Sequence, residues 1–162
     1  MTVISATPDT DALSLTIVTE FAATPERVWH LWADPRQLER WWGPPTWPAT
    51  FTELDLRPGG RAAYYMTGPE GEKAAGWWEF VAVDAPSALS FDDGFADDDG
   101  TPNTAMPVTR AEVAIEAAAP GSRMTIVSRF ADAEQMRQLV EMGMVEGMSE
   151  ALGQIEAILA EG

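Results

Sequence analysis

Five of the seven tryptophans fall between Trp29 and Trp47. Indole is the largest apolar side chain, and leaving this many in water within one short stretch is costly. A chain with this segment must bury it in a core or use it to wall a cavity. At 162 residues the chain is long enough for one such core. No linker or internal repeat divides it, so one domain is expected over 11–162, preceded by a loose lead-in over 1–10.

The tryptophan segment divides into two helix starts. Thr24-Pro25-Glu26 combines an N-cap residue, proline at the first helical position and an acid at the positive end of the dipole. Val28, Leu31 and Trp32 follow on one face. Asp34-Pro35 repeats the signal at once, with Leu38, Trp41 and Trp42 at the same spacing. Gly43 is expected in a left-handed C′ position, and Pro44 forbids continuation. Two stubby amphipathic helices are predicted.

Period-two patterning surrounds them. Leu13, Leu15, Ile17 and Phe21 mark a half-buried strand before the helices. After them come strands around Phe51–Leu54, then Ala62, Tyr64 and Met66, then Trp78, Phe80 and Ala82, then Leu89 and Phe91. Arg57-Pro58-Gly59-Gly60, Gly68-Pro69-Glu70-Gly71 and Asp84-Ala85-Pro86 supply the turns. Residues Asp92 to Pro107 are expected as a long acidic loop. Val113 and Ile115 then face Met124, Ile126 and Phe130 across Ala119-Pro120-Gly121-Ser122. Short turns between consecutive strands imply an antiparallel meander. From Asp132 to Ala160, Val145, Met148, Leu152, Ile155 and Leu159 recur in steps of three and four. One helix of about 40 Å is expected there. The fold class is α+β: a curved antiparallel sheet around a long C-terminal helix, with two short helices after the first predicted strand.

Composition narrows the function. The chain has no cysteine and a single histidine, His30. Disulfides, thiolate metal sites, cysteine nucleophiles and multi-histidine metal sites are excluded, and the cytoplasm is the natural compartment. A formal net charge of −16 repels phosphate backbones and anionic membrane surfaces. Nucleic acid is therefore not an expected partner, nor is membrane insertion, since no apolar run reaches ~20 residues. Met1 to Thr10 has neither the charge nor the apolar run of a signal peptide. The acids Asp97-Asp98-Asp99 lack calcium-loop spacing and read as solvated. No cofactor or metal is expected.

In order and spacing, five stretches resemble the START-like, or SRPBCC, superfamily with its helix-grip fold. They are Ala23-Thr24-Pro25-Glu26-Arg27-Val28-Trp29, Trp41-Trp42-Gly43-Pro44, Asp55-Leu56-Arg57-Pro58-Gly59-Gly60-Arg61, Gly68-Pro69-Glu70-Gly71, and Gly143 to Leu159. Within it the chain is similar to the bacterial branch related to heat-shock protein 90 ATPase activator homologues. The resemblance implies a cavity between sheet and long helix that binds apolar small molecules, and in some branches performs catalysis. Met144 stands where related sequences often carry an aromatic residue.

Candidate cavity residues follow from the patterning. Trp41 and Trp42 are adjacent, about 100° apart on a helix, and so are not expected to share one role. On the strands, Tyr64, Met66, Trp78, Phe80 and Phe91 would face the helix, together with Met106. Met136 to Met148 holds four of the eight methionines, with Gly143 and Gly147 among them. Adaptable methionine and helix glycines, each costing roughly 1 kcal/mol, suit a pocket wall better than a tight core. Val140, Gly143, Met144, Gly147 and Met148 are expected there. Arg61, Glu79, Arg110 and Arg129 are expected on the solvent face in cross-strand ion pairs, and His30 as a surface or packing residue rather than a catalyst.

The expected function is binding of an apolar or amphipathic small molecule. One alternative is a cyclase, dehydratase or hydrolase using the same cavity, which requires an inward Arg, Glu or Tyr with a perturbed pKa. Another is a co-chaperone with a chaperone partner, in keeping with stress response. A homodimer stays open.

Overall fold

The structure, a computed structural model, describes residues 3–161. Two strands, β1 (Val3–Asp9) and β2 (Ser14–Phe21), precede the short helices α1 (Pro25–Ala33) and α2 (Pro35–Leu38). Six strands follow: β3 (Ala49–Leu54), β4 (Arg61–Thr67), β5 (Lys73–Asp84), β6 (Ala88–Ala96), β7 (Thr109–Ala118) and β8 (Gly121–Arg129). Three helical segments end the chain: α3 (Ala133–Glu141), α4 (Met144–Leu152) and α5 (Ile155–Ala160). All eight strands form one antiparallel sheet in the order β1-β2-β8-β7-β6-β5-β4-β3. This is the expected helix-grip architecture, with helices gripped by a curved sheet.

The helix starts form as the sequence dictates. Thr24 accepts a hydrogen bond from the Arg27 N–H, and Asp34 accepts one from the Arg36 N–H. Val28, Trp29, Leu31 and Trp32 on α1 are buried against β7 and β8. The second helix ends sooner than predicted, at Leu38. Hydrogen-bonded turns carry the chain onward, and the N–H groups of Trp41 and Trp42 both reach the Leu38 carbonyl. Both indoles therefore still point inward.

Gly43 does not take the left-handed conformation expected of it. Its role is close approach: a Cβ there would stand 2.0 Å from the Trp47 carbonyl oxygen. That carbonyl belongs to the turn that delivers the chain to β3.

Three other expectations change. Residues 3–9 of the presumed lead-in form β1, the edge strand paired with β2. Of their described side chains only Ala6 is partly buried, so the strand adds little to the core. β6 runs on to Ala96, where a loop from Asp92 was expected, because both acids find partners. Asp92 pairs with Arg110 on the outer face, and Asp93 turns inward to Tyr64. Finally, the C-terminal helical stretch is interrupted. Gly143 takes φ 94°, and a second turn separates α4 from α5 at Gly153-Gln154.

The core lies on the concave face. Trp78 and Phe91 stack with centroids 4.1 Å apart, and Trp32 and Trp41 meet edge to face at 4.8 Å. The buried Trp41 N–H donates to the Leu31 carbonyl at 2.9 Å. Gln154 ties the helical stretch to this turn by donating to the Gly43 carbonyl at 2.6 Å. As expected, Arg61 and Glu79 are exposed on the outer face, where Arg110 and Arg129 pair with Asp92 and Glu112.

Candidate functional site

Between the sheet and the α3–α4 junction the packing opens into a cavity of about 320 Å³. Phe91 and Asp93 of β6 and Tyr64 and Met66 of β4 form one wall. Trp32 and Trp42 close it from the side of the short helices. Met142, Gly143, Met144, Gly147 and Met148 form the roof. Gly143 shapes that roof, because its left-handed backbone breaks the helix where a continuous one would span the sheet. Nothing lies within 4 Å of a Cβ placed at Gly147, so the roof leaves open space beneath it.

The cavity has one polar end. Tyr64 Oη donates to Asp93 Oδ1 at 2.9 Å. The sheet register creates this pair. Tyr64 sits opposite Gly76, and Trp78 sits opposite Asp93. Gly76 is required there, since a Cβ would fall 2.4 Å from the Tyr64 ring. Both side chains are half-buried because the cavity reaches them, yet they lie deep among apolar neighbours. Burial pushes the Asp93 carboxyl up to about 7, against the opposing effect of the Tyr64 and Trp78 donors. Burial, reinforced by the Asp93 charge, holds the Tyr64 phenol well above its ordinary value of 10. The indole N–H groups of Trp42 and Trp78 act on this pair electrostatically but make no hydrogen bond of good geometry; both are buried donors without an acceptor.

Residues 22–160 match the family described as Activator of Hsp90 ATPase homolog 1-like protein. The chain belongs to this AHSA1-like family. A protein from Arthrobacter aurescens, solved by solution NMR, is 56% identical with a TM-score of 0.95, covering 99% of this chain and 94% of that one. A crystal structure from Mycobacterium smegmatis is 52% identical with a TM-score of 0.90, covering 97% and 96%. The AHSA1 protein from Silicibacter pomeroyi is 25% identical with a TM-score of 0.72, covering 91% and 97%. No curated protein matches the chain.

In this AHSA1-like chain the cavity gathers eight of the expected residues: Trp42, Tyr64, Met66, Phe91, Gly143, Met144, Gly147 and Met148. It leaves out five. Trp41, Trp78 and Phe80 are buried in the solid core beside it. Val140 packs against the core from α3, and Met106 sits in the loop before β7. The adjacent tryptophans do divide their roles, with Trp42 on the cavity and Trp41 beneath it.

Asp93 lies in the stretch 92–107 that reads as a loop in the sequence, which hides its inward position on β6. The alternation Leu89, Phe91, Asp93, Phe95 carries the signal, since an acid in register with three apolar residues faces the same way. Thr109 and Ser128, also on the lining, lie in similar inward positions on β7 and β8. His30 is exposed and borders a separate surface hollow with Arg27, Arg40 and Glu161. Among the described residues no group of three or more His, Cys, Asp or Glu could hold a metal ion.

Proposed function

We propose that this protein binds an apolar or amphipathic small molecule in the cavity between the sheet and α3–α4. One observation carries the reading: a partly open, mostly apolar space of about 320 Å³ within the domain. That volume falls at the lower end of the range of about 300–1,000 Å³ common for small-molecule sites. The methionine-rich roof can adjust to a ligand's shape. Tryptophan and phenylalanine walls offer dispersion and ring-edge contacts.

Native mass spectrometry of the purified protein should show a co-purified small molecule. A tryptophan-fluorescence titration with uncharged N-phenyl-1-naphthylamine should saturate, with Trp42 reporting occupancy. Gly147→Phe, which fills the space beneath the roof, should abolish the titration. A folded protein with no bound mass and no titration, or a titration that survives Gly147→Phe, overturns the proposal.

The Tyr64–Asp93 pair supports a second reading, catalysis in the same cavity. A carboxyl that titrates near 7 is suited to general acid–base work at neutral pH. Under that reading Asp93 exchanges a proton with the substrate while Tyr64 stabilises the resulting charge. The co-chaperone reading rests on the family description alone. It predicts a changed ATPase rate in a heat-shock protein 90 partner, and an unchanged rate ends it.

A further inference from the structure

The polar end of the cavity is organised around an acid that has no positive partner among the described residues. Tyr64 and Asp93 are the only ionisable side chains on the lining among the described residues. On the neighbouring strands the charged residues point to the other face. Arg61 and Glu79 are exposed, Asp92 pairs with Arg110, Glu112 pairs with Arg129, and Lys73 sits over the Tyr65 ring. Above the cavity, Glu141, Glu146 and Glu150 of the helical stretch are exposed. Among the described residues nothing supplies a cation to Asp93.

What surrounds Asp93 instead is a set of donors. Tyr64 donates to it, the buried Trp78 N–H faces it without an acceptor of its own, and the Trp42 N–H, likewise without an acceptor, faces Tyr64. Donors stabilise a carboxylate; a carboxylic acid needs an acceptor for its own proton. This shell therefore fits the ionised form, which lacks only a counter-ion. The aromatic faces of Trp32, Trp42 and Phe91 attract positive charge through their ring quadrupoles. An anionic ligand would meet Asp93, no basic lining residue, and a formal net charge of −16.

We infer that the occupant of this cavity is an apolar molecule carrying one protonated amine, with Asp93 as its counter-ion and the aromatic walls around its apolar body. The inference rests on the cavity being a binding site. It sets the sign of the pH dependence. Burial holds the empty site's Asp93 near 7, so an ammonium ligand must ionise it on binding. Amine affinity then rises with pH to a plateau above that range and falls about tenfold per pH unit well below it. A neutral ligand that accepts from the protonated acid has the opposite slope.

Three probes of similar shape test this by calorimetry on the full chain: 2-phenylethylamine, 2-phenylethanol and 3-phenylpropionate. At pH 8 the amine should bind about tenfold or more tighter than the alcohol, with the carboxylate weakest. Asp93→Asn should bring the amine to within about threefold of the alcohol while leaving the alcohol nearly unchanged. Tyr64→Phe, a second variant that keeps the ring, should reduce the preference by less. The amine-to-alcohol ratio is taken within each variant, so a loosened fold does not mask it. An amine no tighter than the alcohol, or a preference that survives Asp93→Asn, overturns the inference alone. Failure of all three probes to bind overturns it together with the small-molecule reading.

Discussion

The interior has two ends that differ in kind although the same elements build both. At one end Trp32, Trp41, Trp78 and Phe91 interlock ring against ring, and Leu152, Ile155 and Ile158 belong to the same buried cluster with almost no exposure. At the other end Met144, Gly147 and Met148 are only half-buried above open space. The change happens within one turn of α4. Met148 and Leu152 share a face at i and i+4, yet Met148 lines the cavity and Leu152 is 0% exposed. Apolar residues are plentiful at both ends. What opens the second is glycine and methionine in the roof and an acid in the wall.

Removing volume from the solid end gives the largest expected effect. Trp41→Ala should destabilise the protein by about 3–5 kcal/mol, because it deletes a fully buried ring and orphans the Leu31 carbonyl. Leu152→Ala should follow at about 3 kcal/mol. Urea unfolding at fixed pH measures both. If either change costs under about 1 kcal/mol, the solid end collapses easily onto voids and the contrast between the ends is lost.

This division was only partly legible in the sequence. Local signals with one physical reading survived folding. Thr24-Pro25 and Asp34-Pro35 start helices, and alternating strands bury one face. The helix-grip order follows from them and from the five family-like stretches. Three features were not legible in the local pattern. β1 buries little, with only Ala6 partly buried among its described side chains, and it pairs along the edge of β2. Asp93 belongs to a strand because Tyr64, 29 residues earlier, satisfies it. Trp78 and Phe80 alternate just as Tyr64 does, but only the three-dimensional packing decides which of them meets solid core and which meets space. Gly143 was expected on the pocket wall, but the break it introduces shows only in its left-handed backbone.

Asp93 sharpens the comparison through pH. Its carboxyl is raised from the unfolded range near 3.8 to about 7 in the fold. Between these values the folded state holds one more proton than the unfolded state. The stability it contributes is fully present below about pH 4 and is lost as pH rises through 7. Asp93→Asn should remove that slope. The full shift corresponds to a ceiling of about 4 kcal/mol, and the partial exposure of Asp93 reduces the expected gain to about 2 kcal/mol at pH 8. At pH 4 the variant and the parent should match within about 0.5 kcal/mol. Urea unfolding of both proteins at the two pH values decides it. Equal slopes would mean that Asp93 is solvated like a surface acid.

The smallest expected effect has the opposite sign. Gly147 lies within α4, and apart from its chain neighbours and the helix's own backbone no atom lies within 4 Å of the Cβ it lacks. Gly147→Ala should therefore stabilise the protein by about 0.5–1 kcal/mol through helix propensity alone. A glycine in a tightly packed helix would give a loss instead, so the sign itself reports open space. The same methyl group intrudes on the cavity, so affinity for a ligand that fills it should fall while the melting temperature rises. Stability and binding moving apart under one added carbon would show that the roof is kept loose for an occupant. A fall in melting temperature would mean that this end, too, is filled.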